Sequence, residues 1–178
     1  MKKQEKLDVL SKAIKDTELC RCSFCYGQDD IYFYPDLLSK DFFISQEEDE
    51  FILDGYTIRK ISHIKKIEID ESKIKDINKK NGVTLQVKSP KIDLTSWQTI
   101  FNSLKQIDTF LIIEDEKHEL YAIGKIIEVM KNKLIFHDFD MDGKWSDNQL
   151  EMPYTTITTV KWETRYDKGW KEYLESDK

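Results

Sequence analysis

Two segments of the chain, residues 4–16 and 95–107, carry hydrophobic residues three and four positions apart. That spacing places side chains on one face of an α-helix. In the second segment, Thr95 with Gln98 three positions later forms the capping box that often begins a helix. We therefore predict two short amphipathic helices. Their apolar faces are Leu7, Leu10 and Ile14 in the first and Trp97, Ile100, Phe101 and Leu104 in the second.

A series of short apolar segments follows each predicted helix, over residues 18–69 and 109–165. In both, the order is a strand, a polar turn (residues 28–30 or 117–119), an apolar stretch broken by a small turn, an acidic loop and a closing strand. The identity between the halves is weak, but the shared order indicates an internal repeat of one helix and about five strands. The closing strands align Ile61 and Ile64 with Ile157 and Val160.

The connecting region, residues 70–94, has a pattern of its own. Its first part, "ESKIKDINKKNGV", predicts a short charged helix or turn, and Asn81-Gly82 marks a turn after it. In "VTLQVKS" hydrophobic residues alternate with polar ones, which predicts an additional strand. The segment "SPKIDLTS" then serves as a linker. The alternating residues are Val83, Leu85 and Val87.

Five short, strongly bent strands after a helix are typical of small barrels of the SH3 or Sm type. The predicted fold class is therefore mainly β with short α-helices: two tandem Sm-like or SH3-like barrels, each preceded by a short helix. The predicted domains are residues 1–80 for the first helix and barrel, 81–94 for the strand and linker, and 95–178 for the second helix and barrel with a C-terminal aromatic segment.

The second half also resembles a known group of proteins. Its pattern is a strand with a glycine, a D-x-x-G-x-W turn, an I-x-x-I/V pair and a following tyrosine, as in uncharacterised bacterial proteins with Sm-like (SH3-like) β-barrel repeats. The resemblance is good over residues 109–170 and loose over 18–76, where Pro35 stands near the glycine position. It implies the barrel fold and, by analogy alone, RNA binding. The matching positions are Gly124, Asp140 to Trp145, Ile157, Val160 and Tyr166.

Charge changes this picture, because the chain of 178 residues has a net charge of −6 and only three arginines. Nucleic-acid-binding proteins usually carry a basic surface. The one basic stretch runs from Arg59 to Lys80, with eight basic residues against four acidic ones, and we interpret it as a solvated face. No apolar segment approaches the ~20 residues of a membrane-spanning helix. No secretory signal follows the basic N-terminus, so a cytoplasmic protein is expected.

The segment "HDFDMDGKWSDNQLEMP", residues 137–153, opens like a calcium loop, with Asp138, Asp140, Asp142 and Gly143. An EF-hand requires a bidentate carboxylate at its twelfth position, which is Gln149 here. The flanking sequences resemble strands, whereas an EF-hand has helices. We therefore predict a tight turn between two strands. Weak calcium binding by the three aspartates remains the alternative.

Three cysteines, Cys20, Cys22 and Cys25, lie close together in "CRCSFC". A structural zinc site requires four ligands, and no second cysteine pair is present. On a strand Cys20 and Cys22 share a face and Cys25 lies on the other. We predict core residues, with a metal site as the alternative. An odd number of cysteines without a signal peptide also fits a reducing compartment.

No catalytic motif stands out. The histidines, His63, His118 and His137, lie far apart, and the glycines form no phosphate-binding loop. His137 beside Asp138 could act as a base with its partner, but we expect it to end a strand on the solvent side. We predict no enzyme, no catalytic residues, no cofactor and no metal site.

Aromatic residues are concentrated in two places. In "DIYFYPD" we expect Phe33 in the core, with Tyr32 and Tyr34 covering barrel edges or the junction between the two units. The alternative is that the tyrosines stack nucleic-acid bases. Near the C-terminus, Trp162, Tyr166, Trp170 and Tyr173 are spaced as on a helix, although Trp162 is expected to end a strand. This segment should pack back on a barrel or across the pair of barrels.

The function predicted from these observations is a non-catalytic interaction module. Small barrels offer strand edges and aromatic grooves to peptides, so a protein partner is favoured. The alternative is an RNA-binding Sm-like protein, which the net charge disfavours. A hydrolase without a recognisable motif ranks lowest. The sequence identifies neither the ligand nor the oligomeric state.

Overall fold

A computed structural model describes residues 1–26, 30–107 and 109–176 and divides the chain into two compact units, Met1–Pro90 and Lys91–Lys178. Each unit has a helix followed by a five-stranded antiparallel sheet. The prediction of a mainly β protein with short helices is thereby confirmed. Within the described segments, none of the helices is long and apolar enough to cross a membrane.

Unit 1 begins with helix α1 (Lys3–Asp16), as predicted. Its sheet has the order β5-β1-β2-β3-β4, and a 3-10 turn at Ile61–His63 joins β4 to β5. Residues 28 and 29 of the predicted first polar turn lie outside the described residues. The strands are β1 (Cys20–Phe24), β2 (Ile31–Leu38), β3 (Phe42–Asp49), β4 (Ile52–Lys60) and β5 (Ile64–Ile69).

The core of unit 1 lies between α1 and the sheet. Of the predicted apolar stripe of α1, Leu10 is fully buried, while Leu7 and Ile14 are half-buried. Ala13, which was not predicted, is also fully buried. The rings of Phe33 and Phe43 contact each other within this core, with their centres 5.5 Å apart and their planes tilted by 32°. The other core residues are Cys20, Cys22, Phe24, Ile61, Ile64 and Ile67.

The connecting region contains a predicted helix but not the predicted strand. Helix α2 (Lys73–Lys80) begins at Ser72, whose hydroxyl accepts a hydrogen bond from the amide of Ile74. The strand predicted over Val83–Val87 is wrong, because residues 83–86 form a 3-10 turn after Gly82, at φ +74°. The amide of Leu85 bonds back to the carbonyl of Gly82, which leaves the Leu85 side chain 88% exposed. Alternating hydrophobicity therefore did not indicate a strand here.

Unit 2 repeats this arrangement with helix α3 (Trp97–Leu104), a sheet of order β10-β6-β7-β8-β9, and a final helix α4 (Arg165–Ser176). The predicted Thr95–Gln98 box is displaced by one residue. Ser96 is the N-cap, and its hydroxyl accepts from the amide of Thr99. The strands are β6 (Leu111–Asp115), β7 (Leu120–Val129), β8 (Lys133–Asp138), β9 (Leu150–Pro153) and β10 (Thr159–Trp162).

The register of the strands shows which residues of the two units correspond. Cys20 pairs with Phe33 in unit 1, as Leu111 pairs with Gly124 in unit 2. Each second strand then has an irregularity three positions later, between Pro35 and Leu37 or between Ile126 and Glu128. Phe33 therefore corresponds to Gly124, and Pro35 lies two positions after it.

The closing strands also require a correction. Cys22 pairs with Ile67 and Ile113 pairs with Val160, so Ile67 corresponds to Val160 and, with the same offset, Ile64 corresponds to Ile157. The predicted alignment was three residues out. The reason is that Ile61, Ile64 and Ile67 repeat every three residues, and sequence spacing alone fits two alignments equally well.

Candidate functional site

The aspartate-rich segment Asp138–Gln149 connects β8 to β9, so strands flank it as predicted. Phe139 and Trp145 form an isolated bridge that narrows the turn. Within it, the Asp140 carboxylate accepts hydrogen bonds from the amides of Asp142 at 2.9 Å and Lys144 at 3.0 Å. The carboxylate thus stabilises the turn in the way aspartates commonly do.

The three aspartates of the turn have different surroundings. Asp140 is engaged with the backbone, while Asp138 is half-buried and its Oδ1 has no hydrogen-bond partner among the described residues. Asp142 is exposed. In the described parts of the chain, no three or more His, Cys, Asp or Glu side chains are grouped so that they could hold a metal ion.

Helix α4 starts beside this turn with a well-defined cap. The amide of Asp167 donates to the Thr164 hydroxyl at 3.2 Å. In return, the Asp167 carboxylate accepts from the amides of Thr164 at 2.6 Å and Glu163 at 2.9 Å. Burial raises the pKa of Asp167, and the hydrogen bonds from Thr164 and Glu163 oppose that rise. The start of α4 is therefore fixed by a reciprocal capping box.

Helix α4 packs against the turn at Gly143. A Cβ at this position would lie 3.0 Å from the Trp170 ring and 3.3 Å from the Leu174 side chain. Its φ of +76° also favours glycine. Trp170 and Leu174 in turn pack on the core of unit 2, where Trp170 lies 5.3 Å from Phe139 between ring centres. The C-terminal segment therefore packs back on its own unit, which is one of the two predicted arrangements.

The turn and α4 together border an open groove of about 590 Å³. Most of its lining is aromatic or apolar. Met141 is 88% exposed, Tyr173 58% and Tyr166 48%. The lining residues are Met141 and Asp142 from the turn and Arg165, Tyr166, Gly169, Trp170 and Tyr173 from α4.

In the groove, the rings of Tyr166 and Tyr173 contact Trp170 at similar distances and angles. The ring centre of Tyr166 lies 6.3 Å from that of Trp170 at an interplanar angle of 82°. That of Tyr173 lies 5.9 Å from Trp170 at 81°. Both phenol rings are therefore nearly perpendicular to the indole. Gly169 leaves the space above the helix open, since a Cβ there would meet nothing within 4 Å.

Unit 1 has a smaller and more polar cleft of about 360 Å³, bordered by the end of α1 and by α2. Glu18 and Lys75 lie across it with charged atoms 3.8 Å apart. The Tyr34 hydroxyl at its base accepts a hydrogen bond from Asn78, and burial raises the pKa of Tyr34. Tyr34 is only 1% exposed, so its ring offers no stacking surface for a base.

The cysteines occupy two environments. Cys20 and Cys22 are buried in the core of unit 1, as predicted. Burial raises the pKa of Cys20 to about 12 and that of Cys22 further in the same direction. The core prediction is wrong for Cys25, which is exposed because β1 ends at Phe24.

The histidines stand in separate local contacts. His118 Nδ1 lies 2.7 Å from the Asp115 carboxylate. His137 Nε2 lies 2.9 Å from the carbonyl oxygen of Ser146, so this nitrogen carries a proton and donates it. His137 is the penultimate residue of β8 and is half-buried. It is held by the turn and is not paired with Asp138 as a base.

The basic stretch from Arg59 to Lys80 is not one solvated face. Arg59 is 3% exposed, and its guanidinium carbon lies 4.4 Å from the ring centre of Phe24. Lys60 and Lys75 are half-buried, and the other lysines face solvent. Those that are exposed on β5 and α2 include Lys65, Lys66, Lys79 and Lys80.

The groove itself was not predicted. The sequence indicated its two parts, the glycine turn and the aromatic stripe of α4, without showing that Gly143 brings them together. Compared with known proteins, the chain matches no family model, no curated protein and no solved structure.

Proposed function

We propose that this protein is a non-catalytic interaction module that binds another protein through the groove of unit 2. The proposal is based on one observation: α4, which packs against the core of unit 2, borders an aromatic groove that is open to solvent. Tyrosine and tryptophan are enriched where proteins bind each other, because they bury a large area with few rotatable bonds. Exposed apolar side chains gathered in one place commonly mark such a site.

The contacts that hold Trp170 and the start of α4 in place favour binding. Trp170 is anchored on Phe139 and on Gly143, and the Thr164–Asp167 cap fixes the beginning of α4. Trp170 is therefore held in place before a partner arrives. Holding the indole in advance lowers the entropic cost of association.

The proposal extends to the fold and to the location of the protein. Each unit has five strands in an order that places the first strand between the second and the fifth, with a bulge in the second strand. We infer that each set of five strands bends into a small barrel of the Sm or SH3 type, and that the protein works in the cytoplasm. The strand order and the bulge in the second strand support this inference, and the described strand pairs within each unit form an open series.

RNA is the second candidate ligand. Exposed tyrosines could stack bases, and the exposed lysines of β5 and α2 could contact phosphates. A net charge of −6 and three arginines, of which Arg59 is buried, count against it. Protein binding is therefore the better-supported function.

The test compares the wild-type chain with a Tyr166→Ser/Tyr173→Ser variant and with a Leu85→Ser control. Leu85 is also strongly exposed but belongs to unit 1. After nuclease treatment, we expect the same protein to be captured by the wild type and the control and lost by the groove variant, as quantified by mass spectrometry.

A partner retained by the groove variant would contradict the proposal. So would binding to a poly(U) RNA that falls steeply with salt and disappears on charge reversal of four lysines, since that result would indicate phosphate contacts. The lysines to reverse are Lys65, Lys66, Lys79 and Lys80.

A further inference from the structure

The geometry points to a cationic side chain, a lysine or its methylated form on the partner protein, as the group that the groove of unit 2 recognises. This inference rests on the proposed function and specifies the chemistry of the partner. It is based on three features of the groove: the arrangement of its rings, an unpaired carboxylate and the charge of the surrounding turn.

The rings provide the first argument. Aromatic faces carry negative charge density and attract cations placed within about 6 Å of the ring centre. Tyr166 and Tyr173 stand at 82° and 81° to Trp170, so they do not stack flat against it. Because Gly169 adds no side chain between them, a compact cation can approach several rings at once.

The carboxylate provides the second argument. Asp142 lines the groove beside Met141, and across the described residues its side chain has neither a hydrogen bond nor an ion pair. Its neighbour Asp140 is already engaged by two backbone amides. Asp142 is therefore the acidic group that remains available to a ligand. Arg165, the cation on the lining, already has an interaction of its own.

The surrounding charge is the third argument. The turn from residue 138 to 147 holds four aspartates and one lysine, and residues 91–178 hold 17 acidic residues against 12 basic ones. A cationic group is attracted to such a surface and an anionic one is repelled. Charge complementarity therefore favours a basic segment of a partner over an acidic one or a phosphate.

The test uses three probes on the full chain: the N-acetyl methylamides of lysine and of trimethyllysine, and a neutral isostere with a tert-butyl group in place of the trimethylammonium. Binding is followed by the indole N–H signal of Trp170 in ¹H–¹⁵N spectra. We expect the trimethyllysine probe to shift this signal and the isostere to bind about tenfold more weakly, because the isostere has the same shape without the charge.

Two variants separate the groove from the general charge of the protein. Asp142→Asn should weaken trimethyllysine binding by about three- to tenfold. Asp147→Asn removes the same charge from an exposed site in the same loop, outside the groove lining, and should weaken binding by no more than about twofold, because solvent screens a charge that does not touch the ligand. Tyr173→Leu keeps an apolar side chain but removes an aromatic ring. It should weaken binding of the trimethyllysine probe more than binding of the neutral isostere.

Three results would overturn the inference: no shift at Trp170 with either cationic probe, equal affinity for cation and isostere, or equal effects of the two aspartate variants. Equal affinity with a loss in Tyr173→Leu would leave an apolar protein-binding groove, so the proposed function would survive without the cation. The nuclease-resistant capture described above tests that function separately.

Discussion

Gly124 lies where β7 passes closest to β8. A Cβ at this position would lie 1.9 Å from the carbonyl oxygen of His137 and 2.8 Å from the Cα of Asp138. Both are backbone atoms of the neighbouring strand, so they cannot move aside without disturbing the ladder. Because its side chain is a single hydrogen, Gly124 allows β7 to lie this close to β8, the strand that leads into the aspartate-rich turn.

We predict that Gly124→Ala lowers the free energy of unfolding by about 3 kcal/mol, because the added methyl group forces the strands apart. The matched control is Gly169→Ala, which adds the same methyl group in open space within α4. It should raise stability by about 0.5–1 kcal/mol, since alanine favours a helix over glycine. Urea unfolding followed by circular dichroism measures both, and similar effects of the two substitutions would contradict the close approach at Gly124.

At the scale of elements, α4 depends on its cap and on the turn beneath it. Asp167 accepts hydrogen bonds from two backbone amides at the start of the helix and is almost completely buried. Burial raises its pKa above the ordinary value of 3.8. The folded protein therefore holds a proton at Asp167 more tightly than the unfolded chain does.

This difference in pKa predicts how the effect of Asp167→Asn on the free energy of unfolding depends on pH. Above the folded-state pKa, Asp167 is ionised in both states and the folded state bears the cost of burying the charge. As the pH falls through the folded-state pKa, the folded wild type takes up a proton first and gains stability. The free energy of unfolding of the wild type minus that of the variant should thus increase as the pH is lowered from 7 to 4. Urea unfolding at each pH measures it. A decrease would show that the hydrogen bonds outweigh burial.

At the scale of the whole molecule, each unit has a hydrophobic cluster of its own, around Phe33 and Phe43 in unit 1 and around Phe110 and Phe139 in unit 2. The chain carries natural probes for each. All four tryptophans belong to unit 2, whereas all three cysteines belong to unit 1. Tryptophan fluorescence therefore reports on unit 2, and the reaction of Cys20 and Cys22 with a thiol reagent reports on unit 1.

We expect each unit to unfold as its own cooperative unit. Gly124→Ala should move the tryptophan transition to lower urea while leaving the urea dependence of Cys20 and Cys22 labelling unchanged. In the native protein only Cys25 should react rapidly, because the other thiols are buried and remain protonated. A joint shift of both signals would indicate that the units unfold together.

The sequence by itself determined the features that depend on near neighbours: the apolar stripes of α1 and α3, the five short strands that follow each, and the tight turn at Asp140–Gly143. These follow from the spacing of side chains within a few residues. Where that spacing was ambiguous, as with Ile61, Ile64 and Ile67, or misleading, as at Val83–Val87, only the tertiary structure decided the outcome.

The tertiary structure alone decided which residues meet across the fold. It placed Phe33 in the position of Gly124, turned Arg59 into the interior and seated Trp170 on Gly143. The groove joins Asp142 to Tyr173, which are 31 positions apart in the chain. No local pattern encodes such a contact, because it depends on how closely a helix can approach a turn once both have formed.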